Sequence, residues 1–229
     1  MNARNAAAAI AATLLVIFSG AALSQLPPEM SDLKLVKSKN YDQVYLLPGA
    51  DFSAYKKVMI DPAQISFNKN WMKDTRSASL TDRKGISPEQ AKQISDLARE
   101  AVGTIFQDSF KRAGYEIVTT SGPDVVRLTP AVINLYVNAP AGSAATRTYA
   151  VSAGEATLVL AVRDSVSGAL LGMALDKRET RTAMSGPVLA DSVTNRAEFE
   201  VLFRRWADIA AKGFAALKEH GAPPPKGNK

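Results

Sequence analysis

Residues 155–181, EATLVLAVRDSVSGALLGMALDKRETR, decide the fold class. Leu158, Leu160 and Val162 recur at the period-two spacing of a half-buried strand. Asp164-Ser165-Val166-Ser167-Gly168 follows, with Asp favouring the turn's start and Gly supplying a positive φ at its end. Leu171, Met173 and Leu175 then recur at the same spacing. We expect them to form the matching face of the return strand. The segment thus predicts an antiparallel β-hairpin. Its trailing cluster, Asp176-Lys177-Arg178-Glu179 with Arg181, mixes charges and predicts an exposed strand end guarded against edge pairing.

Helical signals lie on both sides of this hairpin. Ser87 is a good N-cap, Pro88 suits the first helical position, and Gln90 completes a capping box. Ile94, Leu97, Ala101, Val102, Ile105 and Phe110 then form one apolar stripe, and Gly114 is the expected stop. The spacing predicts a helix over 87–113. A second helix is predicted over 195–219, capped by Asn195 with Glu198 and ended by Gly221. Its stripe is Phe199, Leu202, Phe203, Trp206, Ile209, Ala210, Phe214 and Leu217. Trp206, inside that stripe, reads as core.

Residues 57–67 read as a strand with Pro62 at a bulge or exit, and 115–120 as a short one. Residues 125–137 form a longer strand that changes phase. Val126 and Leu128 are even-numbered, whereas Ile133, Leu135 and Val137 are odd. The expected bulge is at Pro130. Residues 68–85 and 139–154 read as loops. The predicted order is β-α-β-β-β-β-α. It implies a single α+β domain, with a mainly antiparallel sheet and helices packed on one face.

The ends read differently. Residues 1–24 have a short basic start at Arg4, an apolar run over 6–18 and a small-x-small site at Ala22-Leu23-Ser24. These are the parts of a secretory signal peptide, with cleavage expected between Ser24 and Gln25. The apolar run is well short of the ~20 residues that a bilayer-spanning helix requires, which argues against an uncleaved anchor. Residues 25–40, with Pro27-Pro28 and alternating Lys, read as a flexible tether. Residues 41–220 are the folded domain and 221–229, with Pro223-Pro224-Pro225, a disordered tail.

Composition removes several chemistries. The 229 residues include no Cys and one His, His220, close to the C-terminus. No thiolate metal site, disulfide or Cys nucleophile can form, and a multi-His site is ruled out. No Cys also means no lipid anchor of the lipoprotein type. We expect neither metal nor cofactor, and no catalytic residue is assigned. A Ser-His-Asp triad would need its base in the last turn of the last helix. Ser-x-x-Lys occurs at Ser31, Ser53 and Ser66, without the companion motifs of Ser-Lys enzymes. Asp51, Asp61, Asp74 and Asp82 are candidate carboxylates for a hydrolase of an envelope polymer, though each also has an ordinary structural reading. A small-ligand carrier is a further alternative, requiring an apolar pocket between sheet and helices.

The opening of the domain resembles a known family. Tyr41-Asp42, the run from Leu47-Pro48-Gly49-Ala50-Asp51-Phe52 to Val58-Met59-Ile60-Asp61-Pro62, and Phe67-Asn68-Lys69-Asn70-Trp71 are similar to the bacterial domain-of-unknown-function family numbered 3313. So are Arg163-Asp164-Ser165-Val166-Ser167-Gly168 and Phe203-Arg204-Arg205-Trp206-Ala207. The resemblance implies an exported protein. Many members look like lipoproteins, a habit this Cys-free chain departs from. It implies no reaction and transfers no catalytic residue.

The net charge is +6, and the basic excess is spread evenly along the chain, which favours a solvated surface over a nucleic-acid footprint. The most biased loop is 68–85. Its candidate binding residues are Lys69, Trp71, Lys73, Arg76, Arg83 and Lys84, facing an envelope protein or an anionic envelope surface. The reading from sequence is a non-enzymatic exported protein of the envelope or periplasm, a partner-binding or assembly module. If the leader is cleaved as expected, N-terminal sequencing of protein recovered from the periplasm begins at Gln25. A chain that still begins at Met1 would overturn that assignment.

Overall fold

The computed structural model describes residues 30–78, 86–138, 149–150, 153–180, 188–189 and 192–225. Met30 and Ser31 are the described part of a first unit, 1–31; the fold below belongs to the second, 32–229. Its strands are β1 (Lys34–Val36), β2 (Gln43–Leu46), β3 (Lys57–Ile60), β4 (Gln64–Phe67), β5 (Glu116–Ile117), β6 (Val125–Val137), β7 (Tyr149–Ala150), β8 (Gly154–Asp164), β9 (Leu170–Glu179) and β10 (Val188–Leu189). Its helices are α1 (Trp71–Ala78), α2 (Pro88–Arg112) and α3 (Ser192–His220). The main sheet runs β1-β2-β9-β8-β6-β3-β5, with β4 also paired to β6, and β7 pairs with β10 separately.

The sheet is mixed. From β1 through β6 the neighbours are antiparallel, whereas β3 and β4 lie parallel to β6, and β5 lies parallel to β3. The parallel part follows from α2. A helix between β3 and β5 forms a crossover, and a crossover returns the chain in the same direction. The α+β class holds, with the buried residues of all three helices joined to one face of the sheet in a single core.

The helix α3 begins at Ser192, so the expected cap Asn195 lies inside it, where its side chain donates to Asn138 O at 2.8 Å, and Glu198 accepts from Ala153 N; α2, in contrast, begins as its sequence directs. Ser87 accepts from Gln90 N, and the Gln90 side chain accepts from Ser87 N, the reciprocal pair of a capping box. Val102, Ile105, Phe106 and Phe110 are its buried stripe. On α3 the stripe is Phe199, Leu202, Phe203, Trp206, Ala207, Ala210 and Phe214. The two helices lie side by side and parallel. Arg112 pairs with Asp208, 96 residues on, and the charge of Glu100 reaches Arg196 at the same offset. Ser109 Oγ also donates to Asp208 at 2.7 Å.

Other expectations need correction as well. The phase change of β6 is real but sits at Asn134, not Pro130. Even-numbered residues from Val126 to Val132 face the core, then Leu135 and Val137 do, and Asn134 takes φ +51 where the β6–β8 register shifts. Pro130 stays in register opposite Leu160. On its other side it meets the Asp61-Pro62-Ala63 break between β3 and β4, where a missing N–H costs no ladder bond.

The hairpin forms, but its register pairs Leu158, Leu160 and Val162 with Asp176, Ala174 and Gly172. A bulge between Val162 and Arg163 absorbs the extra residue, so Met173 and Leu175 lie on the other face. Residues 34–36, expected in a tether, form β1, because Val36 is buried and the strand pairs with β2. Part of the expected tail also joins the sheet, through a bridge from Val36 to Pro225. Finally, the first part of the expected 68–85 loop is α1.

Gly154 marks the tightest approach in the sheet. It has φ +142, and a Cβ there would stand 1.9 Å from Tyr136 O. We expect Gly154→Ala to cost about 2–5 kcal/mol, through backbone strain and overpacking. Gly213, in α3, has open space around it. Gly213→Ala should instead stabilise by about 0.5–1 kcal/mol. Urea unfolding of the two variants should therefore shift in opposite directions; shifts of the same sign would refute this reading.

Candidate functional site

The predicted contact loop separates into an anchor and exposed charges. Trp71 is 0% exposed, stacks on Phe67 at 4.2 Å, and donates its indole N–H to Val137 O at 2.7 Å. It is core, not a contact residue. Asn68 caps the turn ahead of α1, its side chain accepting from Asn70 N. Lys69 and Lys73 are exposed around that first turn. Asp74, two residues from Met72, accepts from Tyr136 OH at 3.3 Å. Arg83 and Lys84 lie outside the described residues, as do Asp82 and the side chain of Arg76. The basic start of α1 is therefore anchored by a tryptophan behind it.

The carboxylate candidates are engaged separately. Asp51 accepts from Ser53 N at 2.8 Å, and hydrogen bonds from Ser53 hold its carboxyl below the usual range. Asp61 accepts from Arg127 Nε through both oxygens at 2.9 Å and from Thr129 Oγ1 at 2.6 Å. Arg127 stands directly opposite Arg163 across β6 and β8, a pairing of like charges that Asp61 offsets. Asp74 is held by Tyr136, as above. Each of these three serves a turn, a sheet pair or a helix. Among the described residues no group of three or more His, Cys, Asp or Glu side chains could hold a metal ion.

Sequence reading missed the most elaborate polar cluster. Asp176 was expected on an exposed strand end, yet it is 2% exposed. The reason is its register: it continues the core-facing row of Gly172 and Ala174. Trp206 Nε1 donates to Asp176 Oδ2 at 2.7 Å, and Asp42 N donates to Oδ1 at 3.1 Å. Arg178 Nε pairs with Oδ2, and Arg178 also donates to Asn40 O at 2.7 Å. Tyr41 OH closes the group by donating to Trp206 O at 2.9 Å. Burial, and then the charge of Asp176, raises the Tyr41 phenol well above its ordinary range. One signal was available in the sequence: a tryptophan at the centre of an apolar stripe must find an acceptor for its N–H.

The hairpin turn is tied down by a third group. Asp164 accepts from Val166 N, Ser167 N and Ser167 Oγ, and from Tyr55 OH at 3.0 Å. Burial and this bond push the Tyr55 phenol up to about 12. Among the described residues, no helix is long and apolar enough to cross a membrane.

A family model described as "Protein of unknown function (DUF3313)" matches residues 24–210, and the chain belongs to that family. No curated protein matches. Among solved structures, the chain is similar to a PelC dodecamer from Paraburkholderia phytofirmans, at 12% identity and TM-score 0.36, over 72% of this chain and 96% of that one. A protein from Xanthomonas campestris matched by the DUF330 family model shows 12% identity and TM-score 0.38, over 75% and 90%. A neuraminyllactose-binding hemagglutinin homolog from Helicobacter pylori shows 13% identity and TM-score 0.34, over 81% and 90%.

The two tryptophans offer a matched test of the buried carboxylate. Each indole N–H makes one bond at the same distance, but Trp71 serves a neutral carbonyl and Trp206 a charge. Trp→Phe removes similar volume at both sites. The bond to a charged acceptor is worth about 1.5–3 kcal/mol and a neutral one about 1. Trp206→Phe should therefore be the more destabilising of the two in urea unfolding. Equal losses, or the reverse order, would remove Asp176 from its central place.

Proposed function

We propose that this member of the DUF3313 family is a non-enzymatic exported protein of the periplasm that binds an anionic envelope partner. The start of α1 is its proposed contact. The observation that carries this reading is Trp71. Its stacking on Phe67 and its bond to Val137 fix the first turn of α1, and so present Lys69 and Lys73 outward on an anchored base. A preorganised pair of cations loses less entropy on binding than the same pair on a loose loop. The net charge, +6 for the full chain and +5 once the leader with Arg4 is removed, adds a long-range attraction to anionic surfaces.

The polymer hydrolase is a weaker reading on these residues. Asp61, one of its candidate carboxylates, is already spanned by Arg127 and Thr129. The carrier reading requires space between sheet and helices, and among the described residues large buried side chains such as Phe106, Trp206 and Phe203 pack there.

Co-sedimentation with envelope fragments and with vesicles rich in anionic lipid tests the proposal. Binding at low salt should fall at least threefold, about 0.7 kcal/mol, in Lys69→Glu/Lys73→Glu, and should weaken as salt rises. Undiminished binding by that variant would rule out this surface.

A further inference from the structure

The main sheet ends on one side at β1, whose inner edge is paired with β2. A strand in that position offers the N–H and C=O groups of its outer edge to any extended chain that comes alongside. Here the chain's own end comes alongside. Gly221 takes φ +71 and donates its N–H to Leu217 O at 3.0 Å, and the chain turns out of α3. Ala222 packs against the core, and Pro225 forms an antiparallel bridge with Val36. The segment from Gly221 to Pro225 thus lies where the next strand of the sheet would add.

What covers the edge is itself a poor edge. Pro223, Pro224 and Pro225 have no N–H. A strand beyond them would meet carbonyls but no backbone donor over those three residues, so a ladder breaks off there. The segment is also lightly held. Ala222 is partly buried, whereas Gly221 and the three prolines are exposed. Its tether keeps it in place. Joined to α3, it meets β1 at an effective concentration on the order of millimolar, far above that of a partner at micromolar levels.

We propose that residues 221–225 are a strap that closes the edge of β1 against a second copy of the chain. A second copy is the partner that the edge itself specifies, because an edge strand is complementary to its own copy in antiparallel register. Without the strap, two copies meet about a two-fold axis normal to the sheet. That axis sets β1 antiparallel to β1 of the other copy and keeps both sets of helices on one side of a continuous sheet. With Leu35 at the axis, Lys34 stands opposite Val36 of the other copy, so like charges do not face each other. The strap and the second copy need the same backbone groups, so one excludes the other. The proposal uses a different part of the chain from the contact at α1 and does not depend on it.

The absence of Cys lets introduced thiols report on the strap directly. Bridged residues of an antiparallel pair have Cα atoms about 4.5–5.5 Å apart, within the reach of a disulfide. Under mild oxidation, Val36→Cys/Pro225→Cys should therefore close an internal disulfide and lose both free thiols while remaining a monomer. Sedimentation should then compare this locked form with two altered chains. One ends at Gly221 and so lacks the strap. The other, Pro223→Thr/Pro224→Thr/Pro225→Thr, keeps full length and restores the missing backbone donors, so it serves even if the shortened chain proves unstable. Each altered chain, shown by circular dichroism to be folded, should self-associate at a protein concentration at least tenfold lower than the locked form requires. Thiols that stay unpaired in the folded protein, or altered chains that associate no more readily than the locked one, would overturn the proposal.

Discussion

A carboxylate buried at a helix–sheet interface must be paired, because an uncompensated charge there costs several kcal/mol. Asp176 is that carboxylate, and its partners come from three parts of the chain. Trp206 brings α3, Arg178 stands two residues on in β9 itself, and Asp42 N brings the segment that leads into β2. The bonds are directional, so they fix the rotation of α3 about its axis as well as its distance from the sheet. Apolar burial alone would hold Phe199, Leu202 and Phe203 against the strands without choosing among nearby registers. Once α3 is set, Ser109 and Arg112 meet Asp208, and α2 is set in turn.

Much of the architecture was legible because local signals agreed with one another. The capping box at Ser87, the hairpin turn at Asp164 to Gly168, and the stripe of α3 each rest on residues close in sequence. Some of the misplaced details depended on a partner far along the chain, and others on a local shift of register. Pro130 invites a bulge on its own, but the neighbouring break at Asp61-Pro62-Ala63 accommodates it without one. Asn134 carries the bulge instead, since asparagine tolerates positive φ better than most residues. Met173 and Leu175 read as core until the bulge at Arg163 shifts the return strand by one residue. Three residues of β1 are too few to show a period.

The candidate contact surface was legible only as a biased composition. Sequence showed a tryptophan among lysines and could not show which of them faced water. The structure divides their roles, with the aromatic ring inside and Lys69 and Lys73 outside. The same holds for Arg204-Trp206, where neighbours in sequence serve opposite faces of one helix. Alternation of this kind lets a short segment serve packing and recognition together. It also explains why a family resemblance at Phe203-Arg204-Arg205-Trp206-Ala207 need not report a single role.

The pairing order of the sheet has a consequence for the timing of folding. β1 and β2 come first in the chain, but β2 pairs with β9, and the bond from Asp42 to Asp176 closes a separation of 134 residues. The first strands to be synthesised thus wait for nearly the last part of the sheet before they can be covered. Contacts so distant in sequence slow the search for the native state and keep the early segment extended in the meantime. A chain whose opening hairpin of β1 and β2 has no further strand to join remains threadable until its far end arrives.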